Sequence, residues 1–372
     1  MVENLNRRNF IGASGLGAVA LGAGMGISSG ALAAAVGPKA PDGARKPLLL
    51  KLGCQSPPSD DAHFGYLARF GIQNAVGYYD RADKTRLYPT VDELSQLVER
   101  GKRHGISIDM TETSTLGSGG KVSPIMLGQS PARDREIEAF QLTLKNCAAA
   151  GIPAVKYNMR ILPVLRSGEI PGRGDSRYRT WQLADALDAP LTEAGKVDAD
   201  TIWERITYFL DRVVPVANEY KIRIACHPED PGTPTGYRGL TRVLGTVEGL
   251  KRFVSINESP YHGLNFCQGT LSEDLQDPKT EIFDVIRYFG ERKKIFNVHF
   301  RNIQGHRDSF NEVFPDNGDV DFVKAIRVYR DVGYDGMIMP DHVPLGTPAD
   351  MLQNFSFCYG YIRGLMQSAE QY

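Results

Sequence analysis

The chain has 372 residues, with 43 basic and 44 acidic side chains and a formal net charge of −1. This balance lacks the charge excess that favours binding to nucleic acid or to an anionic membrane. We therefore expect a small-molecule partner. The five cysteines are odd in number and widely spaced, which is not the pattern of a disulfide framework.

The first 33 residues are typical of an export signal. Arg7-Arg8-Asn9-Phe10 precedes a Gly- and Ala-rich apolar stretch, and Ala31-Leu32-Ala33 is a small-residue cleavage pattern. Paired arginines before a weakly apolar stretch indicate the twin-arginine route, which accepts folded proteins. The alternative is an uncleaved anchor, because the stretch is close to the roughly 20 residues that span a membrane. We predict cleavage, a periplasmic protein without membrane contact, and one mature domain over residues 34–372.

Apolar runs of strand length alternate with helix-period segments along the mature chain. Eight such pairs predict a (β/α)8 barrel. The predicted strands are 48–54, 72–76, 106–110, 154–158, 222–227, 263–267, 295–299 and 337–341. The predicted helices are 60–70, 91–104, 133–150, 199–220, 238–253, 279–291, 320–332 and 348–367. The alternative, an open doubly wound sheet, would need a Gly-x-Gly-x-x-Gly turn that does not follow the first strand.

Two insertions interrupt this regular alternation, at residues 160–196 and 301–319. They follow predicted strands four and seven, so they lie on the side of a barrel that carries the active site. We expect that they could cover a substrate.

Four residues that could bind a metal close four successive predicted strands. They are separated by roughly 30 to 40 residues, the length of one strand-plus-helix unit, and a closed parallel sheet would bring them to one rim. A lone His or Cys is usually a core residue, but two imidazoles, a sulfur and a carboxylate together favour a divalent transition metal. The predicted ligands are His227, Cys267, His299 and Asp341.

Strand alternation sorts the neighbours of these residues by face, because side chains two apart point the same way. Cys226 should therefore face the helices, and Arg301 should share the face of His299. A guanidinium there would bind a carboxylate or hydroxylated substrate. His262 begins strand six near the opposite rim, and we interpret it as structural. The predicted substrate-binding residues are Lys156, Asn158, Asn265, Arg301 and Asn302.

Several of these segments resemble the mannonate dehydratase family of the xylose-isomerase-like barrels. The segments are His227-Pro228-Glu229-Asp230-Pro231, Gly263-Leu264-Asn265-Phe266-Cys267-Gln268-Gly269, Val298-His299-Phe300-Arg301-Asn302, Phe310-Asn311-Glu312 with Gly318-Asp319-Val320-Asp321, and Pro340-Asp341-His342. The resemblance implies that the four ligands hold Mn2+ or a similar ion such as Fe2+ or Co2+. It also implies proton transfer by His342, which we predict to be catalytic together with Asp341. A homo-oligomer is left open.

The chain departs from the last family motif, Arg-Pro-Asp-His-Gly. Met339 precedes Pro340 and Val343 follows His342, and the missing arginine should alter recognition of a carboxylate. Our first hypothesis is a metal-dependent dehydratase that converts D-mannonate to 2-keto-3-deoxy-D-gluconate and water. The alternatives are a sugar isomerase or epimerase on the same scaffold, supported by Met339 and the export signal, and a non-catalytic sugar-binding protein, against which His342 argues.

Overall fold

Eight parallel strands close into a barrel in the computed structural model, which describes residues 46–113, 116 and 122–371. The predicted export signal lies outside the described residues. Around the barrel the order is β1-β12-β9-β8-β7-β4-β3-β2. These strands are β1 Lys51–Cys54, β2 Asn74–Gly77, β3 Ser107–Glu112, β4 Ala154–Asn158, β7 Arg223–His227, β8 His262–Cys267, β9 Ile295–His299 and β12 Met337–Met339. The predicted (β/α)8 barrel is confirmed.

Helices surround the barrel and bury their apolar faces against its outer surface, as the 3.6-residue period predicts. Their bounds are α1 Asp61–Arg69, α2 Val91–Arg103, α3 Pro124–Leu127, α4 Ala132–Ala150, α5 Ala199–Tyr220, α6 Val247–Ser255, α7 Gln268–Asp274, α8 Pro278–Glu291, α9 Phe322–Asp331 and α10 Pro348–Gln371. Helix α2 begins with a capping box: the amide N of Glu93 donates to the Thr90 hydroxyl, and the Thr90 amide donates to the Glu93 carboxylate. Within the part of the chain that the structure describes, no helix is long and apolar enough to cross a membrane.

The structure differs from the predicted elements at two places that bear on the site. The last barrel strand ends at Met339 rather than at residue 341, because Pro340 has no N–H for the ladder. Asp341 and His342 therefore lie on the loop that follows. Helix α6 begins at Val247 rather than at residue 238, and the Thr246 hydroxyl caps it by accepting from the Gly249 amide at 3.0 Å.

The two insertions pair with each other in a four-stranded antiparallel sheet, which we call the cap sheet. Its order is β10-β11-β6-β5, and it comprises β5 Gly168–Pro171, β6 Arg177–Gln182, β10 Asn302–His306 and β11 Ser309–Val313. Strand β10 begins three residues after β9 ends at His299, so the sheet adjoins the carboxyl ends of the barrel strands. The insertions thus lie on the expected side of the barrel, next to the predicted metal ligands.

An apolar layer fills the interior of the barrel beneath its carboxyl-terminal rim. It consists of Val76, Met110, Ala154, Ala225, Phe296, Met337 and Met339. The Met339 side chain fits because Gly53 faces it: a Cβ atom at Gly53 would lie 2.8 Å from the Met339 Cε atom. Polar side chains at the strand ends follow this layer, and they form the candidate site.

Candidate metal centre

The structure brings the four predicted metal ligands together. One donor atom from each of His227, Cys267, His299 and Asp341 lies within 4.8 Å of the other three. The first three close β7, β8 and β9, and Asp341 follows β12 by two residues. Ligands that bind one ion at about 2.0 to 2.3 Å lie within such distances of one another. The spacing of the donors therefore fits one divalent ion.

Both histidines have the protonation that a metal ligand needs. The Nδ1–H of His227 donates to the backbone oxygen of Pro228 at 2.6 Å, which leaves Nε2 without a proton. A hydrogen bond of this kind commonly orients metal-binding imidazoles. Burial, together with the neighbouring His299 and Lys156 charges, lowers the pKa of His227 well below its usual value. Burial also lowers the pKa of His299, so both rings offer neutral nitrogen donors.

The sulfur and carboxylate donors are held side by side. The Cys267 thiol lies 3.6 Å from Oδ2 of Asp341. Burial and then the Asp341 charge raise the pKa of Cys267 well above its usual value. Burial alone would raise the pKa of Asp341, but the charges of Arg301 and His342 outweigh it and lower that pKa. A divalent cation would stabilise the thiolate that the protein charges alone disfavour, so the donor set fits such an ion.

Arg301 lies among carboxylates rather than facing a substrate. Its guanidinium donates to Asp341 at 3.2 Å, to Glu312 at 3.0 Å and to Asp230 at 3.1 Å, and it also bonds Glu273. Every nitrogen of its buried side chain is engaged. In this structure Arg301 orients Asp341. Its guanidinium has no unbonded nitrogen left for the substrate carboxylate that we expected it to bind.

A second arginine completes this buried ionic network. Arg166 bonds Asp230 at 2.6 Å, Glu273 at 3.3 Å and also Glu312. Arg166 and Glu273 were not predicted from the sequence, because neither closes a barrel strand. One signal was present, since Arg166 lies in the insertion that follows predicted strand four on the active-site side of the barrel.

A second group of potential ligands, Asp230, Glu312 and His342, lies within 4.8 Å of one another. Arg166 and Arg301 already bond both of its carboxylates. A cation there would have to displace two guanidinium groups. The described residues therefore favour the first group as the metal centre.

His342 reaches the site from the loop after β12. Its Nδ1 lies 2.7 Å from Oε1 of Glu312 on β11, and its side chain is 30% exposed. Burial opposes the charged form, but the Glu312 and Asp341 carboxylates outweigh this effect and raise the pKa of His342. The hydrogen bond at Nδ1 leaves Nε2 as the ring atom that can meet a substrate. The catalytic role of His342 stays a prediction.

Two of the predicted substrate-binding residues have structural contacts instead. Asn302 donates to the backbone oxygens of Pro315 and Val320, and its own oxygen accepts from the amides of Ile303 and Val320. These four bonds use all the donors and acceptors of its amide. Asn265 is fully buried, its amide nitrogen lies 3.0 Å from Nε2 of His299, and its oxygen accepts from Asn297 at 2.6 Å. It therefore contacts the ring of a candidate metal ligand.

Lys156 and Asn158 lie at the end of β4, as predicted. Asn158 is half-buried and pairs in register with His227. Lys156 is buried, and its ammonium group donates to Oε1 of Gln55 at 3.0 Å. Asn158 therefore lies beside a candidate ligand on the neighbouring strand, and the substrate-binding roles of both residues stay predictions.

The structure also shows where Cys226 and His262, the residues predicted to be structural, lie. All five cysteines are free and buried, and Cys226 lies in the core between barrel and helices. His262 begins β8, is fully buried, and bonds the backbone oxygen of Phe253 at 3.0 Å. The structural role of His262 is therefore confirmed.

Comparison with known proteins identifies the family of this chain. The family model for D-mannonate dehydratase (UxuA) matches residues 169–371, more than half of the chain. The chain belongs to this family. The mannonate dehydratase of Thermotoga petrophila is 27% identical over 342 residues, covering 81% of this chain and 92% of the relative. The family membership predicted from the strand-end segments is confirmed.

Solved structures with similar folds show that the barrel of this chain has the xylose-isomerase-like fold. The crystal structure of mannonate dehydratase from Streptococcus suis serotype 2 superposes with a TM-score of 0.75 at 22% identity, covering 87% of this chain and 95% of that one. A xylose isomerase domain protein from Planctomyces limnophilus superposes with a TM-score of 0.58 at 11% identity, covering 87% and 99%. The segment that the family model matches contains the four candidate ligands and His342, whereas Lys156 and Arg166 precede it.

Proposed function

We propose that this chain is a metal-dependent hydro-lyase that converts D-mannonate to 2-keto-3-deoxy-D-gluconate and water. The observation that carries the proposal is the position of His342, which Glu312 holds at 2.7 Å beside four converging metal donors. A site that only bound a sugar would not need an oriented imidazole next to the metal. Family membership supports the same activity.

The proposed cofactor is Mn2+, with Fe2+ or Co2+ as chemically similar ions. His227, Cys267, His299 and Asp341 would hold it. When bound, such an ion stabilises negative charge that develops on the carboxylate and 2-hydroxyl oxygens of a sugar acid. The mixed nitrogen, sulfur and oxygen donor set suits a transition ion better than Mg2+ or Ca2+.

The reaction moves two protons, and the contacts of the site suggest which residue handles them. In the elimination the proton on C2 leaves and the 3-hydroxyl departs with an added proton as water. The resulting enol then becomes the 2-keto product by losing its hydroxyl proton and gaining a proton on C3. Asp341 is a poor base, because Arg301 bonds it and lowers its pKa. His342 exchanges a proton through Nε2 while Glu312 holds Nδ1. We therefore assign proton transfer to His342 and ligand duty to Asp341.

The cap sheet contributes by covering this chemistry. Glu312 on β11 contacts His342, and Arg179 on β6 lies 3.5 Å from the same carboxylate. Strand β11 thus contacts the catalytic candidate directly, and β6 contacts its partner Glu312. Exclusion of water strengthens the electrostatic interactions of such a site.

The decisive experiment is to incubate the metal-loaded protein with D-mannonate and, separately, with a panel of neutral sugars. We expect a 2-keto-3-deoxy acid from D-mannonate and no change in the neutral sugars. The His342→Asn variant serves as the matched control for contaminating activity. Interconversion of aldoses and ketoses, or of epimers, without any keto acid would refute the dehydratase. Binding without turnover would make the chain a sugar-binding protein.

A second candidate function is a metal-dependent isomerase or epimerase of sugars. The observation that favours it is Met339, an apolar side chain inside the barrel at the position where the family motif has arginine. A site with less positive charge would accept a neutral sugar more readily. The same incubation distinguishes the two candidates by their products.

We also propose that the protein is exported to the periplasm by the twin-arginine route. The support is the sequence Arg7-Arg8-Asn9-Phe10, the apolar stretch after it, and the Ala31-Leu32-Ala33 cleavage pattern. A site assembled from strands along the whole second half of the chain must be folded to hold its metal. Export of the folded protein would preserve that loaded site.

A further inference from the structure

A second polar cluster lies beside the metal donors, around the other half of the barrel rim. The metal donors come from β7, β8, β9 and the loop after β12, whereas this cluster comes from the ends of β1 to β4. Lys156 on β4 donates to Oε1 of Gln55 at 3.0 Å, and its ammonium lies 3.6 Å from Oε2 of Glu112 on β3. Tyr78, after β2, donates to the backbone oxygen of Gln55. The substrate would lie between the two clusters.

Lys156 is the cation of this second cluster. The residue is 7% exposed, and a lysine is seldom buried so deeply without a partner for its charge. Glu112 offsets part of that charge from 3.6 Å, beyond hydrogen-bond distance. An ammonium group has three protons. Only one of them has a hydrogen-bond acceptor among the residues that the structure describes, so donors remain for a ligand.

Strand register places Lys156 close to the metal centre. Lys156 pairs with Ala225, two residues before His227 on the neighbouring strand β7. An anion bound to the metal donors would therefore lie within the field of this ammonium group.

The other buried cations near the site are already engaged. Arg301 and Arg166 each bond at least three carboxylates. The barrel position before Pro340 holds the uncharged Met339. Arg179 belongs to the cap sheet and contacts Glu312 and the backbone oxygen of Val343, with its side chain 31% exposed. Lys156 is thus a buried cation of the barrel rim that has unused donors among the residues that the structure describes.

We propose that Lys156 binds the carboxylate of the sugar-acid substrate and thereby sets the preference for acids over neutral sugars. This inference rests on the proposed dehydratase function. It assigns to β4 the positive charge that is missing at Met339 on β12. Gln55 and Glu112 keep the ammonium group in place, so Lys156 recognises the substrate while His342 transfers the proton.

The test compares Lys156→Met and Lys156→Gln with Lys156→Arg, which retains the charge. The control is Lys51→Met, which removes a 47% exposed lysine at the opposite end of the barrel, where β1 begins. Dissociation constants for D-mannonate and for neutral D-mannitol are measured by calorimetry in a His342→Asn background, so that turnover does not interfere. Circular dichroism and metal content confirm that each variant is folded and loaded.

We expect both neutral variants to weaken D-mannonate binding by about 10- to 100-fold, the usual effect of losing a hydrogen bond to a charged group. Lys156→Arg should recover most of that loss, and D-mannitol binding should not change. In otherwise unaltered enzyme the same variants should raise KM more than they lower kcat.

Three results would overturn the assignment. One is unchanged D-mannonate affinity in a folded, metal-loaded neutral variant. Another is a loss confined to kcat that Lys156→Arg does not restore, which would make the lysine a proton donor. The third is an equal loss for D-mannitol. If the parent protein does not turn over D-mannonate, the dehydratase proposal fails. The role of Lys156 is then tested by comparing the affinities of the parent and the variants for other sugar acids and for the corresponding alditols. Failure of the parent protein to bind any sugar acid overturns both proposals.

Discussion

Nδ1 of His342 lies 2.7 Å from Oε1 of Glu312, and this contact joins the loop after β12 to the cap sheet. The preceding residue, Asp341, points to the metal donors instead. The two neighbours can face different partners because the strand ends at Met339, before Pro340. One short loop thus carries a candidate metal ligand and, separately, the imidazole that we propose for proton transfer.

The first prediction concerns this separation of roles. His342→Asn should retain the bound metal and the affinity for substrate, while turnover falls by on the order of 10² to 10⁴, the usual range for losing a general acid or base. Metal analysis and steady-state kinetics on the same preparation measure both quantities. Loss of metal with the imidazole would make His342 a ligand, and near-normal turnover would make it structural.

The second prediction concerns the metal centre. The purified mature protein should contain about one divalent ion per chain, because one set of four donors converges. Cys267→Ala and His299→Ala should lower metal content and activity together without unfolding the barrel. Cys226→Ala is the matched control, since that buried thiol faces the helices. Full metal occupancy in the Cys267 and His299 variants would remove both residues from the ligand set.

The third prediction concerns stability at acid pH and tests His262. Burial lowers the pKa of His262 to about 4 from an unfolded value of 6.5. Between pH 6.5 and about 4, this imidazole is therefore protonated in the unfolded chain and neutral in the folded chain. At acid pH this difference in protonation favours the unfolded state. The free energy of unfolding is therefore unaffected above pH 6.5 and falls by about 3 kcal/mol as pH falls to 4.

Urea unfolding of the parent and of His262→Gln between pH 4 and 7 measures this effect. Glutamine can still donate to the Phe253 backbone oxygen, but it does not titrate. The parent should lose more stability on acidification than the variant does. Parallel pH profiles would show that the pKa of His262 is the same in the folded and the unfolded protein.

The fourth prediction concerns export. Replacing Arg7 and Arg8 with Lys should leave the protein in the cytoplasm with its signal uncleaved, because the export receptor reads the arginine pair as an address. Fractionation of cells and the molecular mass of the product measure both effects. Replacing Lys39, which lies after the cleavage pattern, with Arg should have no effect. Delivery across the membrane by the lysine variant would exclude the twin-arginine route.

Hydrophobic periodicity in the sequence predicted the bounds of several strands and helices. The periodic runs predicted β4, β9 and α5 at the bounds that the structure has, and the spacing of strand ends predicted that His227, Cys267, His299 and Asp341 would meet. Their role as metal ligands stays a prediction.

Contacts between distant segments could not be predicted in this way. Arg301 has the inward direction that alternation predicts, but its partners Glu273 and Glu312 lie on α7 and β11. Whether a guanidinium is free or saturated depends on such tertiary neighbours. The end of β12 was misplaced by two residues, because the apolar run continues through Met339 to Pro340 while the hydrogen-bond ladder does not.

The pairing of the cap sheet also implies an order of assembly. Trp181 on β6 lies opposite Phe310 on β11, and the segment between them contributes β7, β8 and β9 to the barrel. Joining such distant segments has a high entropic cost until the intervening chain has folded. Pulse-labelled hydrogen exchange during refolding should therefore protect β7 and β8 before β6 and β11, and simultaneous protection would contradict this order. If the cap sheet pairs last, an incoming ion would meet an open barrel rim first.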